Sequence, residues 1–92
     1  MTSPNIQLVN AIFADESSKI RSLLELGIDV NDSGFFNIPP LIRAALYAKS
    51  KALQTLIEWG ADKNIKDKQG RTALELAKKY NHPRIIEILL QN

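Results

Sequence analysis

One spacing dominates this chain. Gly27-Ile28-Asp29-Val30-Asn31 returns 33 positions later as Gly60-Ala61-Asp62-Lys63-Asn64. Leu8, Leu41 and Leu74 keep the same interval. So do Ala11, Ala44 and Ala77, and the pairs Leu23-Leu24, Leu56-Ile57 and Leu89-Leu90. Independent landmarks that agree without an insertion imply a repeated structural unit, and periods of roughly 20–50 residues imply stacked arrays. Such a unit cannot bury its apolar face alone and folds by stacking on its neighbours.

Each unit reads as two short helices. In the second, Pro40 fits the first helical turn, where its missing N–H costs nothing. Leu41, Ala44 and Ala45 then share one face at helical spacing. A break follows near Ala48-Lys49-Ser50. A second helix carries Leu53, Leu56 and Ile57, and Gly60 supplies a permissive C-terminal stop. In the third unit Thr72-Ala73-Leu74-Glu75 matches a capping box. Asn81-His82-Pro83 reads as a turn, with Asn able to take a left-handed conformation and Pro starting the next helix.

This period and content resemble the ankyrin repeat. The third unit, DKQGRTALELAKKYNHPRIIEILL, and the linker GADKNIKDKQG lie close to the family pattern. The second unit has PPLIRAA where the family has threonine, proline, leucine, histidine and alanines. The first keeps only Leu8, Ala11, Leu23, Leu24 and GIDVN. The resemblance implies an all-α fold, an α-solenoid of three stacked helix-turn-helix repeats with two β-hairpin-like fingers. It places them in a single domain over 1–92, with repeats at about 2–26, 27–59 and 60–92. Three repeats is about the minimum for a stable stack.

The resemblance also implies a concave surface, formed by the fingers and the first helix of each pair, that binds another protein. Phe35 and Phe36 match Lys68 and Gln69 at the finger tip, and Ile38 matches Arg71. Leu46 and Tyr47 match Lys79 and Tyr80 on the exposed side of the first helix, and Phe13 matches Leu46 in the first repeat. The expected partner site is therefore an apolar anchor, Phe35, Phe36, Ile38, Leu46 and Tyr47, with Phe13 beside it. Lys68, Arg71, Lys79 and Tyr80 form its rim. Contiguous exposed apolar side chains mark association sites, and aromatic anchors ringed by charge are the usual anatomy of a hot spot. The alternative is that the phenylalanines fold back and pack on the stack. The expected partner carries an apolar anchor and some acidic character, and the chain would serve as inhibitor, antitoxin-like blocker or adaptor.

Composition narrows the remaining classes. There is no cysteine, so disulfides and thiolate metal sites are excluded. Twelve basic and ten acidic residues give a net charge of +2. The excess lies in residues 61–92, where seven basic side chains face four acidic ones. Interleaved Asp62, Asp67, Glu75 and Glu87 make this a solvated face rather than a nucleic-acid stripe. His82 is the only histidine, and a structural hydrogen bond in the inter-helix turn is its expected role. Asp15-Glu16 are read as complementing the dipole at a helix start. Asp29, Asp62, Asn31 and Asn64 are read as turn residues bonding their own backbone. No nucleophile motif or phosphate-cradling loop is present, so neither catalysis nor a cofactor is expected. The segment MTSPNIQLVN lacks the basic start and apolar run of a secretory signal, and a cytoplasmic location is expected. A second arrangement is a homodimer joined through Ile85 and Ile88, if these form an open apolar edge on the third repeat.

Overall fold

The computed structural model describes residues 4–34 and 36–91. Six helices follow one another: α1 (Pro4–Phe13), α2 (Ser17–Glu25), α3 (Pro40–Leu46), α4 (Ser50–Glu58), α5 (Ala73–Lys79) and α6 (Pro83–Leu90). The described residues contain no strand. Successive helices pack in pairs, α1 with α2, α3 with α4, α5 with α6. The pairs meet in two rows, α1–α3–α5 and α2–α4–α6.

Most of the repeating landmarks are core, while Leu74 and Ile57 are partly buried against it and Leu90 is exposed. Leu8, Leu41, Ala11, Ala44 and Ala77 are all buried, as are Ile20, Leu53, Leu56 and Leu76. Alanine at these positions brings helix backbones close together, and the longer leucines and isoleucines fill the space between pairs. Ile85 and Ile88 are 1% and 4% exposed. They belong to this core, where α6 meets α4 and α5. The homodimer expectation required those two side chains at an open edge, and their burial removes it. Trp59, at the end of α4, is 40% exposed.

The helix ends show why the chain turns where it does. Pro40 and Pro83 stand in the first turns of α3 and α6. At α5 the Thr72 side chain accepts from the Glu75 N–H at 3.3 Å, and Glu75 Oε1 accepts from the Thr72 N–H at 3.2 Å. This is the capping box read from the sequence. Gly60 closes α4 with φ +87°, and the N–H groups of Gly60 and Ala61 bond back to Ile57 and Leu56. Inside each repeat the turn between paired helices uses a left-handed residue that is not glycine: Asp15, Ala48 and Asn81, with φ of 55°, 57° and 57°. They lie 33 positions apart, as the period requires.

Hydrogen bonds cross both repeat boundaries. Asp15 Oδ1 accepts from the Ala52 N–H at 2.8 Å. The carboxylate thus satisfies an orphan donor in the first turn of α4, whose own N-cap residue, Lys49, makes no side-chain cap. Asp15 stands just before α2, as expected, and in addition caps α4 of the next repeat. Asn31 Oδ1 accepts from the Asp62 N–H at 3.0 Å, so Asn31 bonds the next repeat rather than its own backbone. Asp29 and Asp62 do cap their own turns, on Asn31 and Asn64 N–H.

Two substitutions test this account by chemical denaturation. Asp15→Ala strands the Ala52 donor and is expected to cost about 1–2 kcal/mol. Ala48→Gly relieves a left-handed alanine exposed to solvent and is expected to stabilise by about 0.5–1 kcal/mol, the cost of that conformation less the added freedom of the unfolded chain.

Candidate functional site

The two long loops, between α2 and α3 and between α4 and α5, stand over the α1–α3–α5 row. The second loop is the more regular. Lys66 and Thr72 form one isolated antiparallel bridge, and the turn is locked by Asp67. Its Oδ1 accepts from the N–H groups of Gln69 and Arg71, each at 2.9 Å, and its Oδ2 pairs with Arg71 Nε at 2.9 Å. The first loop has no bridge among the described residues. It turns through Ile38 N–H to the Ser33 carbonyl and Asn37 N–H to the Gly34 carbonyl. Its Gly34, at φ +63°, lies against Asn5 of α1, so a Cβ there would overlap the Asn5 amide. That close approach explains why glycine stands at 34 where the other loop has Asp67.

Between the loops lies a groove of about 230 Å³, walled by Phe36, Ile38, Leu46, Lys68, Arg71 and Leu76 among others. That is below the usual size of a small-molecule pocket, roughly 300–1,000 Å³, and suits one or two inserted side chains. Five residues expected at the site from the sequence therefore meet here: Phe36, Ile38, Leu46, Lys68 and Arg71. Phe36 is 54% exposed and is not core, whereas Ile38 and Leu46 are half-buried and lean on the core. Phe35 lies outside the described residues.

The other expected residues are not among those lining the groove. Phe13 and Tyr47 stack with ring centroids 4.8 Å apart, tilted by 55°. Tyr80 packs on His82 at 6.5 Å, with the Lys79 ammonium 5.5 Å from its ring centroid, at the far end of α5. His82 Nε2 lies 3.2 Å from the Leu46 carbonyl and ties the start of α6 to the end of α3, the structural role expected of it. The rim is less basic than a count of its residues suggests, because Arg71 is paired with Asp67.

Sequence reasoning passed over Arg43. It is only 6% exposed, on α3, with its guanidinium 5.6 Å from the Phe13 centroid and 5.9 Å from that of Phe36. Burial lowers its pKa from the ordinary arginine value, while the Tyr47 hydroxyl acts in the opposite sense. The signal was present in the repeat register. The residues 33 places before and after Arg43 are Asn10 and Leu76, and Leu76 is core.

The described residues contain no cluster of three or more histidines, cysteines or carboxylates able to hold a metal, and no helix long and apolar enough to cross a membrane.

Comparison with known proteins agrees with the architecture. Residues 8–92 match the family model for ankyrin repeats (3 copies). The chain belongs to the ankyrin-repeat family. It is 44% identical over 55 residues to the Fibronectin type 3 and ankyrin repeat domains 1 protein of Mus musculus, a match covering 60% of this chain and 16% of the mouse protein. It is 43% identical over 51 residues to the ARF GTPase-activating protein Git of Drosophila melanogaster, over 55% of this chain and 7% of the fly protein. Ankyrin repeats are in general protein–protein interaction modules.

The Asp67 lock carries a pH signature. Its carboxyl is held below the usual carboxylate range, first by the Arg71 backbone N–H, then, against the opposing effect of burial, by the Arg71 side chain and the Gln69 N–H. A depressed folded pKa contributes stability that is fully present above the unfolded value of about 3.9 and is lost as pH falls through the lower folded value. Stability measured by denaturant titration is expected to fall below about pH 4, and Asp67→Asn is expected to flatten that acid limb.

Proposed function

We propose that this chain is a non-catalytic binding module. It folds as one α-solenoid domain of three repeats, about 2–26, 27–59 and 60–92, and its two long loops act as fingers. The partner protein docks on the face formed by these fingers and the α1–α3–α5 row, and the chain acts there as an inhibitor or adaptor. The observation that carries the reading is the groove itself. Exposed Phe36 stands on one wall and Lys68 on the other, over a floor that includes half-buried Leu46. Phe35, Phe36, Ile38, Leu46 and Tyr47 provide the apolar anchor, with Phe13 beside it. Lys68, Lys79, Tyr80 and the Asp67-paired Arg71 form the edge.

Covering an aromatic ring of this size contributes roughly 1.5–3 kcal/mol to a complex. An exposed apolar patch bounded by polar groups is the surface such a partner requires. The free lysines would set approach and orientation more than affinity.

The test pairs the wild-type chain with the double variant Phe36→Ser/Tyr47→Ser in affinity capture, with circular dichroism on both. Both rings are about half exposed, so the variant is expected to keep its helical spectrum and to lose only part of its melting temperature margin, from the contacts with Arg43 and Phe13. Its affinity for any captured partner is expected to fall by roughly a hundredfold or more. Undiminished capture by a folded variant would move the binding surface away from this face.

A further inference from the structure

We propose that Arg43 is a subsite for an aspartate or glutamate side chain of a bound protein segment, whose neighbouring apolar residue enters the groove between the loops. The proposal rests on the reading of this face as a protein-binding surface and names the chemistry of what binds.

Arg43 is a buried cation without an anion. Its Nε has no hydrogen-bond partner and no contact with solvent. Among the described residues the ion pairs are Arg21 with Glu58, Arg71 with Asp67 and Arg84 with Glu87, and none involves Arg43. Taking a charge out of water is costly unless it is paired and hydrogen-bonded. The Phe13 and Phe36 rings offset part of that cost through their faces, but they leave the Nε–H unsatisfied.

Packing does not require a cation at this position. The residue 33 places on, Leu76, is 1% exposed and supplies an ordinary apolar contact. A leucine at 43 would fill the same register without stranding a guanidinium. A buried charge whose cost the fold does not recover is a functional candidate, and the missing element is an acceptor from outside the chain.

The surroundings favour a carboxylate. The planar guanidinium matches the two oxygens of a carboxylate in a fork, and a charge-assisted pair is strongest where water is excluded. Phe36 joins this position to the groove, because one ring lies 5.9 Å from the guanidinium and also forms a groove wall. A short segment can therefore place an acidic residue at Arg43 and an apolar neighbour in the groove.

The experiment selects peptides from a displayed twelve-residue library on the immobilised full chain. Only binders lost on the Phe36→Ser/Tyr47→Ser variant are kept. Each is synthesised with its acidic residue and with the matching amide, and both forms are titrated against wild type and Arg43→Met. The retained peptides are expected to share an acidic residue at a fixed distance from an apolar one. The acid-to-amide change is expected to weaken binding to wild type by roughly tenfold or more, and to Arg43→Met by less than about twofold. The melting temperature of Arg43→Met is expected to equal or exceed that of wild type.

Groove binders that show no acid-to-amide difference, or the same difference on Arg43→Met, overturn the carboxylate subsite and leave the binding face standing. A selection with no peptide sensitive to the Phe36/Tyr47 pair overturns both. Binding of a single-stranded DNA 20-mer that is lost with Arg43→Met, in the absence of carboxylate-dependent peptides, assigns the position to phosphate and overturns the proposal. Should Arg43→Met unfold, Arg43→Lys keeps the charge and most of the stem. A marked loss of melting temperature in both variants makes Arg43 a packing post and overturns it as well.

Discussion

Each helix pair leaves an apolar side uncovered until another pair stacks against it, and everything else in this structure follows from that dependence. The middle repeat is covered on both sides, and Ala44, Ala45, Ala52, Leu53 and Leu56 are all completely buried. The directional bonds obey the same rule. Asp15 reaches Ala52, Asn31 reaches Asp62, and His82 reaches the Leu46 carbonyl. Every one joins a repeat to its immediate neighbour. Energy in such a stack is a sum of repeat and neighbour contributions, so local defects are felt at one seam.

The helices carry most of the core, and the loops add only Ala61 and the half-buried Ile28, Val30, Ile38 and Ile65 to it. The second loop holds its shape by an internal lock, with one carboxylate accepting two backbone N–H groups and pairing with Arg71. The first loop is turned by Ile38 N–H on the Ser33 carbonyl and Gly34 N–H on Asp32 Oδ1, with Gly34 lying close to α1. Two different solutions put two differently charged tips over the same row of helices. One tip presents Phe36 and the other Lys68, and the groove between them has a mixed character that neither loop has alone.

The period and the helix-end residues carried most of the fold. Leucines, alanines and glycines at a constant interval report packing, and packing in a stack is strictly repetitive. Thr72, Glu75, Pro40, Pro83 and Asn81 were readable because each acts on its own helix or turn. The bond of Asp15 to α4 was not legible because its partner, Ala52, is 37 residues away and no local pattern points there. Ala48 gives no sign of a left-handed backbone on its own; only its register with Asp15 and Asn81 does. The exposed aromatics could be placed because the core has no use for those positions. Arg43 escaped notice because a lone arginine in a helix normally reads as surface, and its burial depends on rings brought in from α1 and the first loop. The dimer edge failed for a related reason. Ile85 and Ile88 repeat as Ala52 and Thr55, both buried, and the change in size conceals a constant location.

The constant interval also works as an address. A residue on the loop-bearing face has a counterpart 33 places away in the same environment, one step along the stack. Phe36 and Gln69 are such a pair, as are Tyr47 and Tyr80. Exchanging the members of a pair shifts a chemical feature along the face while the alanine and leucine scaffold beneath is untouched. The surface can thus be rewritten in discrete steps, and a new specificity need not be accompanied by a new fold.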